Sequence, residues 1–270
     1  MTMKKSLSFS IWFVILLIGC TPDQSNSKFD PELIMPKEII DLSPIISEDL
    51  PRQKWGNAAL QMMGFRGETN FLHVGIDTPA YVRNSYIEIF NHGGAHLDAP
   101  NHMEKDAMSI ENWDLRRLIG PVKIFDATSY ANNSAIPAES LKDLNLSSQD
   151  IFMLHVNYIP PQNDDELPAY PYLSKEACEY LASIPVKAVA TDALSIESFN
   201  GFSKGIEAGL SGYKDLIPNH YAILTNEIPL FETLEDVSLL LHKENVIFLG
   251  FPLKFKDGNG SPVRAVAFVY

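Results

Sequence analysis

The chain is poor in cysteine, poor in basic residues, and without internal repeats, low-complexity runs or a second linker. Of its 270 residues only Cys20 and Cys178 are cysteines. If Cys20 is committed elsewhere, Cys178 has no partner, so no internal disulfide is expected. Lys and Arg number 21 against 34 Asp and Glu, a formal charge of −13. An acidic surface argues against nucleic acid as partner and against lying flat on anionic lipid. The one N-terminal apolar run, Phe9 to Ile18, is too short and wrongly flanked for an ordinary membrane span.

What is present begins with a targeting segment. Lys4 and Lys5 precede the apolar run, which reads as a secretory signal. It closes with Leu17-Ile18-Gly19-Cys20, which resembles a bacterial lipobox, where the Cys becomes the lipidated first residue. The expected organisation is a signal peptide at 1–19, a lipidated Cys20 and flexible tether at 20–36, and one domain at 37–270. Membrane contact would then run only through Cys20. The location would be the cell envelope, with Thr21 in place of Asp leaning towards the outer membrane of a Gram-negative cell. Loss of Lys4 and Lys5 with the signal takes the charge from −13 to about −15.

From Lys37 onward the patterning is mixed. Strands are expected at Glu38–Leu42, Ser85–Phe90, Val122–Phe125, Ile151–Val156, Val186–Ala190, Val246–Phe251 and Val263–Val269. Helices are expected at Ala138–Leu144, Lys175–Ala182 and Leu234–His242, with Ser174 capping the second. Cys178 lies on the apolar face of that helix and reads as a small buried hydrophobe. Asp257-Gly258-Asn259-Gly260 is a turn signal between two late strands. The class is α/β or, more broadly, mixed α+β, and not an all-β sandwich.

The densest chemistry lies in Asn91–Met103, N-H-G-G-A-H-L-D-A-P-N-H-M. It holds His92, His96, Asp98 and His102, all potential metal ligands or proton carriers at neutral pH. Their spacing is even, so a straight strand would align them on one face, but at about 3.3 Å per residue His92 and His102 would lie roughly 33 Å apart. A helix would rotate Asp98 away, and Pro100 and Gly93-Gly94 oppose one. A curled loop around a centre remains. A divalent metal fits that centre, because imidazole nitrogens and a carboxylate are ligands expected of zinc or manganese.

One loop alone would hold a metal weakly, so further ligands are expected. His220 precedes an apolar run, and Glu232 is an acid inside an apolar neighbourhood, where a carboxylate needs a cation or proton. A helix cap or a surface pair is the plainer alternative for both. His155 reads as a satisfied core or pocket residue in mid-strand. His73 and His242 read as surface or cap residues, His242 at a helix C-terminus. Arg264 could bind a substrate carboxylate or brace a loop by a salt bridge. Asp192 could support the site from behind or simply serve a turn.

The Asn91–Met103 stretch resembles the H-x-G-T-H-x-D-x-P-x-H signature of the cyclase or kynurenine formamidase-like metal hydrolases. Here it stands as His92-Gly-Gly94-Ala-His96-Leu-Asp98-Ala-Pro100-Asn-His102. Ile39–Ser43, Thr191–Ile196, the pair His220 and Glu232, and Gly260–Arg264 follow that family's order. The resemblance covers about residues 38–268 and implies a swivelling β/β/α fold and a homo-oligomer. In the formamidase branch it implies His92, His96 and Asp98 on a first metal, Asp98 and Glu232 bridging, and His220 completing a second. His102 would stay off the metals as proton donor and acceptor. Related isatin hydrolases use one manganese, so one or two ions, zinc first and manganese second, are expected. Trp55 falls roughly where the formamidase branch places a substrate-stacking Trp, though ordinary packing also explains it. Ala95 stands where the family carries Thr, and Leu154–Tyr158 departs from its L-x-T-G-W.

The implied activity is hydrolysis of the C–N bond in a small aryl formamide or cyclic amide. The rival expectation is a surface-tethered, metal-containing binding lipoprotein without turnover, against which the intact His102 speaks.

Overall fold

Ile151-Phe152-Met153-Leu154 has no polar alternation, the pattern of a strand covered on both faces. The computed structural model describes residues 35–64, 70–75 and 83–270, so the signal and tether expected before Met35, and the side chain of His73, lie outside the described residues. Twelve strands are described: β1 Glu38–Asp41, β2 Asn70–Gly75, β3 Arg83–Glu88, β4 His96–Asp98, β5 Ile119–Asp126, β6 Ala135–Ile136, β7 Ile151–His155, β8 Tyr172–Leu173, β9 Ala188–Thr191, β10 Leu230–Glu232, β11 Val246–Pro252 and β12 Gly260–Val269. The helices are α1 Leu50–Met63, α2 Lys175–Ser183, α3 Phe199–Glu207, α4 Tyr213–Leu216 and α5 Pro218–Leu224. The compact unit they build runs Pro36–Tyr270.

Eight strands form one sheet in the order β1-β12-β11-β5-β7-β9-β10-β4, and β4 also pairs with β12. That last pairing turns the sheet back on itself, so it is barrel-like. The strands β5, β7, β9 and β10 run parallel, and the other pairings of this sheet are antiparallel. The fold is thus a mixed α+β domain, as expected.

Both faces of the sheet are packed. Met153, Ala188, Ala190, Leu97, Phe231, Phe248 and Ala265 meet in one apolar cluster. Phe152, Leu154 and Val189 point the other way, against Cys178 and Leu181 of α2 and Ile223 and Leu224 of α5. Alternating residues of β7 and β9 therefore feed different cores, which explains their unbroken apolar runs. Ser174 caps α2 by accepting the Ala177 N–H at 3.1 Å, and Cys178 is free and fully buried.

Three expectations need correction. Leu234–His242 is not a helix: only a 3-10 turn at Val237–Leu240 forms, entered through Asp236 at φ +55°. Ala138–Leu144 is a 3-10 rather than an α-helix, stopped by Asn145 in the left-handed region. The His-rich stretch is not all loop. His96–Asp98 forms β4, Gly94 at φ +71° turns the chain before it, and Pro100–His102 is a 3-10 turn after it. The long reach of a straight strand does not arise because the strand is three residues long.

Candidate metal centre

The register of β4 builds the first part of the site. Between β10 and β12, His96 lies opposite Glu232 and Asp98 opposite Gly260. Directly opposed residues of antiparallel strands share a face, so His96, Asp98 and Glu232 project together while Leu97 and Phe231 enter the opposite core. His92 arrives from the preceding turn, and its ring lies over Gly260. A Cβ at Gly260 would stand 2.5 Å from His92 Cε1 and 2.8 Å from Nε2. Glycine is required there by close approach. His220 comes from the first turn of α5, and His102 from the turn after β4.

These side chains converge. His92 Nδ1 donates to Asp98 Oδ1 at 2.7 Å, and Nε2 faces Asn259 Oδ1 at 3.3 Å. His96 Nδ1 donates to the Gly94 carbonyl at 2.9 Å, which leaves Nε2 as a lone pair, 3.5 Å from Asp98 Oδ1 and 3.7 Å from Glu232 Oε2. His220 Nε2 lies 3.7 Å from Asp98 Oδ2 and 3.4 Å from Glu232 Oε1. The donor atoms fall into two groups, His92/His96/Asp98 and Asp98/His220/Glu232, each within 4.8 Å. Asp98 belongs to both. His102 belongs to neither; its ring stacks tilted on His92 with centroids 4.3 Å apart.

The electrostatics separate the imidazoles. Burial pushes His102 down to about 3, with the Asp98 charge opposing and the other histidines adding to the fall. Burial also lowers His96. For His92 burial works downward too, yet the Asp98 charge and hydrogen bond outweigh it and raise the value. Burial opposes protonation of His220, but Glu232 and Glu197 lift it well above the ordinary value. Burial would raise Asp98, and His92 instead holds it far below the usual carboxylate range.

Does this set fit a divalent ion? Asp98 is 1% exposed, and its Oδ2 accepts no hydrogen bond. An unpartnered buried carboxylate oxygen calls for a cation. Histidine nitrogens with carboxylate oxygens, and no cysteine, suit an open zinc or manganese site rather than a closed structural one. The residues fit.

The other anticipated residues lie elsewhere. Trp55 is buried and meets Phe90 edge-on at 5.5 Å, and Phe90 in turn lies 5.4 Å from the His92 ring. Arg264 is outward and exposed, with Nε 2.9 Å and Nη2 2.5 Å from the Asp41 carboxylate. The structure thus gives it the bracing alternative, tying β12 to β1. His155 ends β7 rather than occupying mid-strand; its Nδ1 donates to Asp192 Oδ2 at 2.7 Å. Asp192 also accepts the N–H groups of Val156 and Asn157. That pair borders a separate polar cavity of about 170 Å³. Ala95 is buried, and its carbonyl accepts the Val263 N–H at 2.9 Å.

Sequence reasoning missed Glu197, Asn259 and Gly260 at this site. A cleft of about 660 Å³, lined by His102, Met103, Lys105, Tyr213 and Asn259 among others, opens beside it.

A barrel-like mixed sheet with a buried, carboxylate-centred histidine cluster at its seam defines an α+β protein built for a divalent metal. The chain belongs to the putative cyclase family, whose pattern matches residues 40–198. Curated relatives include kynurenine formamidases of Bacillus cereus, 25% identical over 65% of this chain and 75% of the relative, and of Salinibacter ruber, 26% identical over 67% and 77%. Similar solved structures include isatin hydrolase A from Labrenzia aggregata bound to benzyl benzoate, with TM-score 0.71, 18% identity and coverage of 86% and 93%. Another is described as a potential metal-dependent hydrolase with cyclase activity, with TM-score 0.62, 22% identity and coverage of 86% and 98%.

Proposed function

We propose that this chain is a metal-dependent hydrolase that cleaves the C–N bond of a small aryl formamide or cyclic amide. The observation that carries the reading is the sharing of Asp98 between two ligand groups, with His102 beside both and in neither. The names of the kynurenine formamidase relatives and isatin hydrolase neighbours support the reaction class.

A divalent ion held by His92, His96 and Asp98, and a second by Asp98, His220 and Glu232, would supply Lewis acidity, acidifying water and polarising a carbonyl. The protein's own contribution is geometric and protonic. Glu232 is held by the Ile196 N–H on its Oε1 at 2.8 Å, and His96 by the Gly94 carbonyl. His102, outside both ligand groups and bordering the 660 Å³ cleft, is placed to take a proton and return it to a leaving nitrogen. Zinc is the first choice of ion and manganese the second, from the donor set.

The test is hydrolysis of N-formylkynurenine and of isatin by the purified chain, with and without chelator. Metal-dependent turnover of either supports the reading. Bound metal with no turnover on these and a broader amide panel favours a binding protein instead.

We propose further that the chain is an envelope lipoprotein tethered through Cys20, on the strength of Leu17–Cys20, and that it works as a homo-oligomer. Incorporation of labelled fatty acid, lost in Cys20→Ala, tests the first. Sedimentation of the soluble unit tests the second.

A further inference from the structure

We propose that Glu197 is a positioning residue for the second half of the metal centre, holding His220 so that its Nε2 faces Asp98 and Glu232. The proposal rests on the metal-centre reading above, but not on the reaction assigned to it.

The short segment after β9 touches both members of that half. The Ile196 N–H donates to Glu232 Oε1 at 2.8 Å. The next residue, Glu197, turns its carboxylate to the start of α5. Its Oε1 accepts the Asn219 N–H at 2.6 Å and the His220 N–H at 2.9 Å, and stands 3.5 Å from His220 Nδ1. The first N–H groups of a helix have no partner inside it. The residue at the cap position, Ile217, has no side chain able to accept them. Glu197 supplies that cap from outside the helix.

Glu197 is 7% exposed, and the ion pair found for it among the described residues is with His220. A buried carboxylate facing one imidazole nitrogen favours a proton on that nitrogen. The other nitrogen, Nε2, is then available as a ligand, 3.7 Å from Asp98 Oδ2 and 3.4 Å from Glu232 Oε1. The first half is arranged differently. His96 Nδ1 rests on a neutral carbonyl, that of Gly94. An outer partner that carries charge raises the basicity of the ligand behind it, and loss of such partners typically costs about 10–100-fold in metal affinity. The loss should therefore fall on one half only.

The experiment is a zinc titration of the metal-free full chain against a chromophoric chelator, with wild type, Glu197→Ala and Glu197→Gln. Wild type should take two equivalents. Glu197→Ala should keep the first and bind the second about 10–100-fold more weakly. Glu197→Gln retains an oxygen for both backbone N–H groups and loses the charge, so its second equivalent should fall between, with the Tm of the metal-free protein unchanged. A merely structural role would weaken both equivalents together. That outcome overturns the proposal, as would a second equivalent unaltered in both variants, or a wild type that takes up only one. If Glu197→Ala does not fold, Glu197→Gln decides: an unchanged second equivalent overturns the proposal. Two bound equivalents with no hydrolysis would count against the hydrolase reading and leave the role of Glu197 standing.

Discussion

Asp98 and His220, far apart in the chain, face each other across the site, with 3.7 Å between Oδ2 and Nε2. The other oxygen of Asp98 accepts a hydrogen bond from His92. One carboxylate therefore joins a local motif to a distant helix. The closure of β4 between β10 and β12 makes the meeting possible, because it sets Glu232 and Gly260 beside the motif.

Gly260 leaves room for the His92 ring. Gly260→Ala should push that ring aside, since the new Cβ would overlap it. Overpacking of this kind costs about 1–3 kcal/mol. Zinc affinity at the first group should fall on the order of tenfold or more. Urea unfolding and zinc titration read the two effects, and wild-type affinity would show that His92 does not need its place over Gly260.

His102 stands outside both ligand groups. His102→Ala should retain metal content and lose turnover by about 10²–10⁴. Elemental analysis beside steady-state kinetics checks this. Full activity in the variant would remove His102 from the proton path, and loss of metal would make it a ligand.

Asp192 holds the end of β7 through His155 and the N–H groups of Val156 and Asn157. Asp192→Ala leaves the buried Val156 N–H and His155 Nδ1 unpaired and should cost about 1–3 kcal/mol in urea unfolding.

The His155–Asp192 pair also has a pH signature. Burial lowers the His155 value, but the Asp192 hydrogen bond and charge outweigh it, so it stands above its ordinary 6.5. The stability from this pair is fully present below 6.5, where the unfolded chain's imidazole is also protonated, and is lost as pH rises through the folded-state value. The stability gap between wild type and Asp192→Asn should therefore narrow from pH about 6 to pH about 9. A gap that widens would reverse the assignment.

How much of this was legible beforehand follows from range along the chain. His92, His96, Asp98 and His102 lie within one short stretch, so spacing alone drew attention to them. His220 and Glu232 stand out in the sequence by chemical type alone, and only the register of β10 on β4 makes Glu232 a neighbour of His96. Glu197 carries no local signal, and Asn259 and Gly260 read locally only as a turn and the start of the Gly260–Arg264 segment, since their part in the site is played across the fold. The strands β4 and β10 have three residues each, too few to display a period. Helix α1 is broken at Gly56, with φ +71°, so it shows no ordinary helical pattern, whereas α3 keeps an amphipathic pattern and a Ser198 cap but carries Gly201 and Gly205, which lower its helix propensity. The 3-10 turn at Val237–Leu240 looked longer because apolar residues continue beyond it to Leu241.

The central claim is that a divalent metal held through Asp98 drives amide hydrolysis. The most direct measurement is turnover of N-formylkynurenine and isatin by the chelator-stripped chain, before and after zinc or manganese is restored, with Asp98→Asn in parallel. Stripping should abolish turnover and metal should restore it, while Asp98→Asn should bind metal roughly 100-fold more weakly or worse and stay inactive. Turnover that survives complete removal of metal, or that is intact in Asp98→Asn, would contradict the account.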